Sequence, residues 1–107
     1  MLSEEQLEQL FYVKKSGIHG SGLFSRVKFI PEDYMGEYDG PDVTENGSHV
    51  LWVEDDDDAW VGRDGKNLLR YLNHSTRPHA EFRGFELYAV REILPGEEIT
   101  IDYGEEP

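Results

Sequence analysis

Three groups of residues have the types and spacing to do chemistry. The first is Asn73-His74-Ser75, which follows the apolar run Leu68, Leu69 and Leu72. An amide, an imidazole and a hydroxyl together donate and accept hydrogen bonds. Two readings are open: polar capping of a helix end, or a ligand site made from side chains and backbone. The second group is His19-Gly20-Ser21-Gly22, where two glycines around one residue let a ligand approach the backbone closely. By itself the pattern is a weak signal that a plain β-turn explains better, and no strand–turn–helix context makes it a dinucleotide fingerprint. The third is Ile99-Thr100-Ile101-Asp102-Tyr103-Gly104. Strand alternation sends Ile99, Ile101 and Tyr103 to one face and Asp102 to the other. A buried tyrosine there must find a partner for its hydroxyl, and a core tyrosine with a satisfied hydroxyl is the usual explanation.

Other chemistries fit less well. His74 and His79 have no third or fourth metal ligand at a convincing spacing. Ser75 lacks the G-x-S-x-G elbow of a hydrolase nucleophile. Asn73-His74-Ser75 also fits a glycosylation sequon, but MLSEEQLEQL lacks the basic start of a signal peptide.

The elements that position these groups are short. Residues 2–11 predict a helix, with Ser3 and Gln6 as a capping box and Leu2 and Leu7 as a hydrophobic staple. From Tyr12 onward the chain turns to β-branched and aromatic runs punctuated by Gly, Pro, Asn and Asp, which predicts a mostly β fold. Residues 54–58, EDDDD, read as a solvated hairpin tip, without the ligand spacing of an EF-hand. Residues 65–72 read as a short helix or turn, and Arg83-Gly84 as a second hairpin. FSRVKFIPEDYMGEYDG (24–40) and YAVREILPGEEITIDYG (88–104) align without gaps. They are either two related halves or a chance likeness between β-meanders.

Composition sets the outer bounds. A chain of 107 residues with 37% hydrophobic residues builds one small domain. A net charge of −13 argues against nucleic acid and favours a basic partner through long-range steering. Solubility alone is a sufficient reason for the same charge. No apolar run reaches the length of a membrane span. With no cysteine there is no disulfide and no thiolate zinc site, which suits a reducing compartment. The cytoplasm is the default expectation.

Taken in order, the Gly-x-Gly turn, Met35-Gly36-Glu37-Tyr38-Asp39-Gly40, Asn73-His74-Ser75 and EEITIDYG resemble the SET-domain protein lysine methyltransferases. The match spans residues 12–104 and looks like a small stand-alone SET protein of the viral or bacterial kind. The resemblance implies a β-clip-like fold of short curved sheets with a C-terminal pseudoknot. Residues 1–107 would then be a single SET domain without a segment after the final Tyr-Gly.

The implied activity is methyl transfer from S-adenosylmethionine to the side-chain amine of a lysine in a basic protein, leaving S-adenosylhomocysteine and using no metal. His19, Gly20, Ser21 and Gly22 would line the methionine end of the cofactor. Asn73 would bind that end through its side chain, and His74 would hold the adenine through its backbone. Tyr103 matches the family's active-site tyrosine. Tyr38 and Ile101 would line the lysine channel, and the small Ile101 leaves room for more than one methyl group. A second subunit of a homodimer, or the substrate, would complete that channel, or the site would stand open and weak. The competing reading is a non-catalytic SET-like module that binds a basic peptide or partner protein.

Overall fold

The structure, a computed structural model, describes residues 2–54 and 56–102. Its elements are one helix, ten short strands and one 3-10 turn. Helix α1 is Glu4–Leu10. Its start is the expected capping box: Gln6 N–H donates to Ser3 Oγ at 3.1 Å, and Ser3 N–H donates to Gln6 Oε1 at 2.9 Å. The helix ends one residue earlier than its apolar face suggests. Phe11 is extended and begins β1, where its fully buried ring stacks on Phe29 at 5.6 Å.

The strands are β1 (Phe11–Lys15), β2 (Ser21–Ser25), β3 (Tyr34–Glu37), β4 (Asp42–Val43) and β5 (Val50–Glu54). They continue with β6 (Trp60–Asp64), β7 (Asn73–His74), β8 (Ala80–Arg83), β9 (Glu86–Ala89) and β10 (Glu98–Ile101). Six of them run in the order β1-β2-β10-β8-β9-β3, with β7 also paired to β10. The other three form a small sheet, β4-β6-β5. Of the acidic run, Glu54 ends β5 opposite Trp60, and Asp56, Asp57 and Asp58 fall between β5 and β6, as their charge predicts. The second predicted hairpin is β8–β9.

Arg63 on β6 ties the two sheets together. It donates to Glu37 Oε2 at 2.8 Å and to the Tyr38 carbonyl at 3.1 Å, and its guanidinium lies 3.9 Å from the centroid of Phe85. The core gathers Leu7, Phe11, Leu23, Met35, Leu87, Ile93 and Ile99 around the 3-10 turn Leu68–Tyr71. Leu69 and Leu72 point into it, as the apolar run requires. Asn67 caps that turn by accepting from Leu69 N–H at 3.3 Å and anchors it by donating to the Glu37 carbonyl at 2.8 Å. No helix among the described residues is long and apolar enough to cross a membrane.

Candidate functional site

The site is organised by the end of β10. This strand pairs antiparallel with β2, and parallel with both β7 and β8. The carbonyl of Thr100 accepts from His79 N–H at 3.0 Å, and that of Ile101 accepts from Ser75 N–H at 2.9 Å. Successive carbonyls of a strand point to opposite edges. The end of β10 therefore lies between the two arms of the loop that joins β7 to β8. That is the chain crossing a pseudoknot requires, and it accounts for the polar triplet at the end of an apolar run. Asn73 and His74 form a strand rather than a helix cap.

The glycine turn and Asn73 meet directly. The Asn73 side-chain Nδ2 lies 3.0 Å from the His19 carbonyl, 3.2 Å from the Ser21 carbonyl and 2.9 Å from Glu98 Oε2. Ser16 N–H donates to the Gly20 carbonyl at 2.7 Å, which closes the turn; Gly20 itself has a φ of +47°. The Ser16 hydroxyl accepts from the backbone N–H groups of Ile18 and His19 at 2.8 and 3.3 Å. It lies 2.7 Å from Glu98 Oε1. Gly22 has no side chain because Glu98 occupies the space. A Cβ there would stand 2.9 Å from the Glu98 Cδ and 3.1 Å from the Ser16 Cβ.

A cleft of about 360 Å³ adjoins this junction, lined in part by Ile18, Ser75, Arg77, His79, Glu98 and Thr100. His79 is held as a neutral imidazole. The Arg91 guanidinium is 3.2 Å from its Nε2 and can only donate, so Nδ1–H donates to Thr100 Oγ1 at 3.0 Å. Burial, followed by the positive Arg91, lowers the His79 pKa below its ordinary value of 6.5. His74 is on the exposed side of the loop, with Nδ1 3.7 Å from Asp102 Oδ1.

Ile101 faces the opposite way from Glu98 and Thr100. With Leu51 and Phe82 it lines both a small cavity of about 50 Å³ and a wider hollow of about 500 Å³. Tyr38 lines the small cavity. Its ring meets Phe82 edge-on at 5.5 Å, and its hydroxyl donates to the His49 carbonyl. Gly65 lies flat beneath that ring, where any Cβ would overlap it. So the predicted residues divide into two sets. His19, Gly20, Ser21, Gly22 and Asn73 converge on one side of β10, with His74 next to them on β7. Tyr38 and Ile101 meet on the other. Tyr103 lies outside the described residues.

Sequence reasoning missed Ser16, Glu98, Leu51 and Phe82. Glu98 was findable: strand alternation from Thr100 places it beside Asn73's partner on the non-core face of β10. Leu51 and Phe82 carry no such signal, because their role arises from two hairpins packing on one another.

Residues 20–104 match the SET domain, and the chain belongs to the SET-domain family. It is 30% identical over 92% of its length to the Arabidopsis thaliana histone-lysine N-methyltransferase MEDEA, of which it covers 17%. It is 30% identical over 85% of its length to the human histone-lysine N-methyltransferase 2B, of which it covers 4%. A Chaetomium globosum histone-lysine N-methyltransferase, H3 lysine-4 specific, is 26% identical over 83% of the chain and 10% of the relative. The chain thus spans less than a fifth of the length of each of these relatives.

Proposed function

We propose that the protein transfers a methyl group from S-adenosylmethionine to the side-chain amine of a lysine in a protein substrate. The observation that carries this reading is the two-sided arrangement about β10. A polar cleft lined by Glu97 and Glu98 as well as Arg77 and Arg91 lies on one face, and an apolar slot on the other. The cleft adjoins Asn73 and the glycine turn and has the size for a small-molecule donor. Its volume of about 360 Å³ falls in the range of small-molecule sites. The Asn73 Oδ1 has no partner among the described residues, which leaves an acceptor for a ligand's ammonium group. When bound, S-adenosylmethionine supplies an electrophilic methyl group on a cationic sulfur.

The chain's own residues do the rest. Asn73 and the backbone of His19–Gly22 hold and orient the donor's methionine end, while His74 supports the adenine through its backbone. Leu51, Phe82 and Ile101 strip water from an aliphatic side chain and centre it. A free lysine has a pKa of about 10.4, and desolvation beside a cation lowers it, favouring the neutral amine that can attack. Tyr103 orients that amine through its hydroxyl. Holding both groups in register supplies much of the rate. The net charge of −13 draws in a basic substrate segment.

The experiment is methyl transfer to a lysine-rich protein such as a histone mixture, read by mass spectrometry of the modified residues. Lysine methylation that is lost in Tyr103→Phe, with S-adenosylhomocysteine affinity retained, supports the enzyme. Cofactor binding without transfer to any lysine makes the protein a binding module. Absence of both overturns the reading.

A further inference from the structure

We propose that Glu98 is a positioning residue that locks the Asn73 side-chain amide, so that the donor cleft always presents Oδ1 and never Nδ2. The proposal rests on reading that cleft as the donor site. The geometry supports it in three steps.

The first step concerns Ser16. Its hydroxyl oxygen accepts from two backbone N–H groups, those of Ile18 and His19. Both lone pairs are then engaged, and its proton must point to Glu98, whose Oε1 and Oε2 are 2.7 and 2.8 Å away. The second step concerns the carboxylate oxygen Oε2, which receives Asn73 Nδ2 at 2.9 Å. Glu98 therefore accepts from two donors, Asn73 Nδ2 at Oε2 and the Ser16 hydroxyl within reach of either oxygen, with a charge that an amide lacks. The third step concerns Asn73. Every group that faces its inner amide atom accepts: the carbonyls of His19 and Ser21 and the carboxylate of Glu98. An inverted amide would set Oδ1 against three oxygens. Glu98 thereby links the glycine turn, through Ser16, to the asparagine, and it needs the open space above Gly22 to do so.

Glu98→Gln keeps the shape and breaks the logic. The glutamine offers one neutral acceptor oxygen in place of two charged ones, so the Ser16 hydroxyl and Asn73 Nδ2 must share it or one of them meets the NH₂ group. The Asn73 amide loses a charged acceptor, worth about tenfold in affinity where it orients a ligand group.

The test combines a ligand-free and a ligand-bound readout on the whole chain. In the free protein, the Asn73 side-chain NH₂ protons are expected to exchange slowly with solvent by NMR, and Glu98→Gln to accelerate that exchange about tenfold. Ser16→Ala should act in the same direction with smaller effect, and it serves as the reporter if Glu98→Gln fails to fold. With S-adenosylhomocysteine, Glu98→Gln should raise the dissociation constant about tenfold, and cost nothing more in an Asn73→Ala background. Additive effects of the two substitutions, or unchanged amide exchange in both variants, overturn the proposal. Accelerated exchange in a protein that binds no S-adenosylhomocysteine confirms the lock and contradicts the donor reading instead.

Discussion

Phe29 and Ile93 exchange two backbone hydrogen bonds of 2.9 Å each and stand at the centre of a near-twofold relation. On one side Ile30 N–H donates to Asp33 Oδ2 at 2.9 Å, and on the other Leu94 N–H donates to Glu97 Oε1 at 2.7 Å. Ser25 N–H donates to the Glu97 carbonyl, and its counterpart Ala89 N–H to the Asp33 carbonyl, each at 3.0 Å. The left-handed backbone repeats too, strained at Glu32 with a φ of 77° and strain-free at its counterpart Gly96 with a φ of 89°.

That correspondence predicts unequal responses at equivalent positions. Gly96→Ala places a side chain in the left-handed region with no other crowding, and should destabilise by about 1 kcal/mol in urea denaturation. Glu32→Gly relieves similar strain but gives up an exposed pair with Arg83 at 2.7 Å, so its net effect should lie within about 0.5 kcal/mol of zero.

The gapless likeness between residues 24–40 and 88–104 was legible because it records this pairing. The helix cap at Ser3, the hairpin around Arg83-Gly84 and the inward Leu69 and Leu72 were legible because local chemistry decides them. The crossing at β10 was not readable from spacing or periodicity, since parallel pairing of Ile101 with both His74 and Ala80 joins residues far apart in the chain. Resemblance to a family supplied it. The two-residue β4 at Asp42–Val43 was missed for the same reason, because its partner Arg63 lies across the small sheet. Phe82 escaped because a half-buried aromatic on a hairpin is ordinary until a cavity opens beside it.

Gly22→Ala tests the packing under the glycine turn. The new methyl group must displace the Glu98 carboxylate or Ser16, so S-adenosylhomocysteine affinity should fall about tenfold or more. Gly17→Ala meets nothing within 4 Å and should leave affinity within about twofold. Isothermal titration of both variants separates a specific approach from a general need for glycine.

His79 predicts a pH dependence of stability with a definite sign. Its pKa is lowered in the folded state, so the unfolded chain binds more protons as pH falls below about 6.5. The His79 contribution is intact above that pH, declines as pH drops toward the folded value, and levels off beneath it. Thermal midpoints between pH 7.5 and 5 should therefore fall less in His79→Asn than in the parent. An equal fall in both would mean the imidazole is not held neutral by burial and Arg91.

Ile101 sets the room in the apolar slot. Ile101→Tyr fills the cavity of about 50 Å³ that it shares with Tyr38, Leu51 and Phe82. The product distribution on a lysine peptide should shift toward monomethyllysine, as counted by mass spectrometry. An unchanged distribution would show that the lysine enters elsewhere.

The central claim is that donor and lysine bind on opposite faces of β10. Backbone amide NMR with separate additions of S-adenosylhomocysteine and a lysine-rich peptide tests it most directly. The account predicts that S-adenosylhomocysteine shifts Ile18–Gly22 and Asn73–Ser75, and that the peptide shifts Leu51, Phe82 and Ile101. Shifts from both ligands on the same residues, or S-adenosylhomocysteine shifts that avoid Asn73 and the glycine turn, would contradict it.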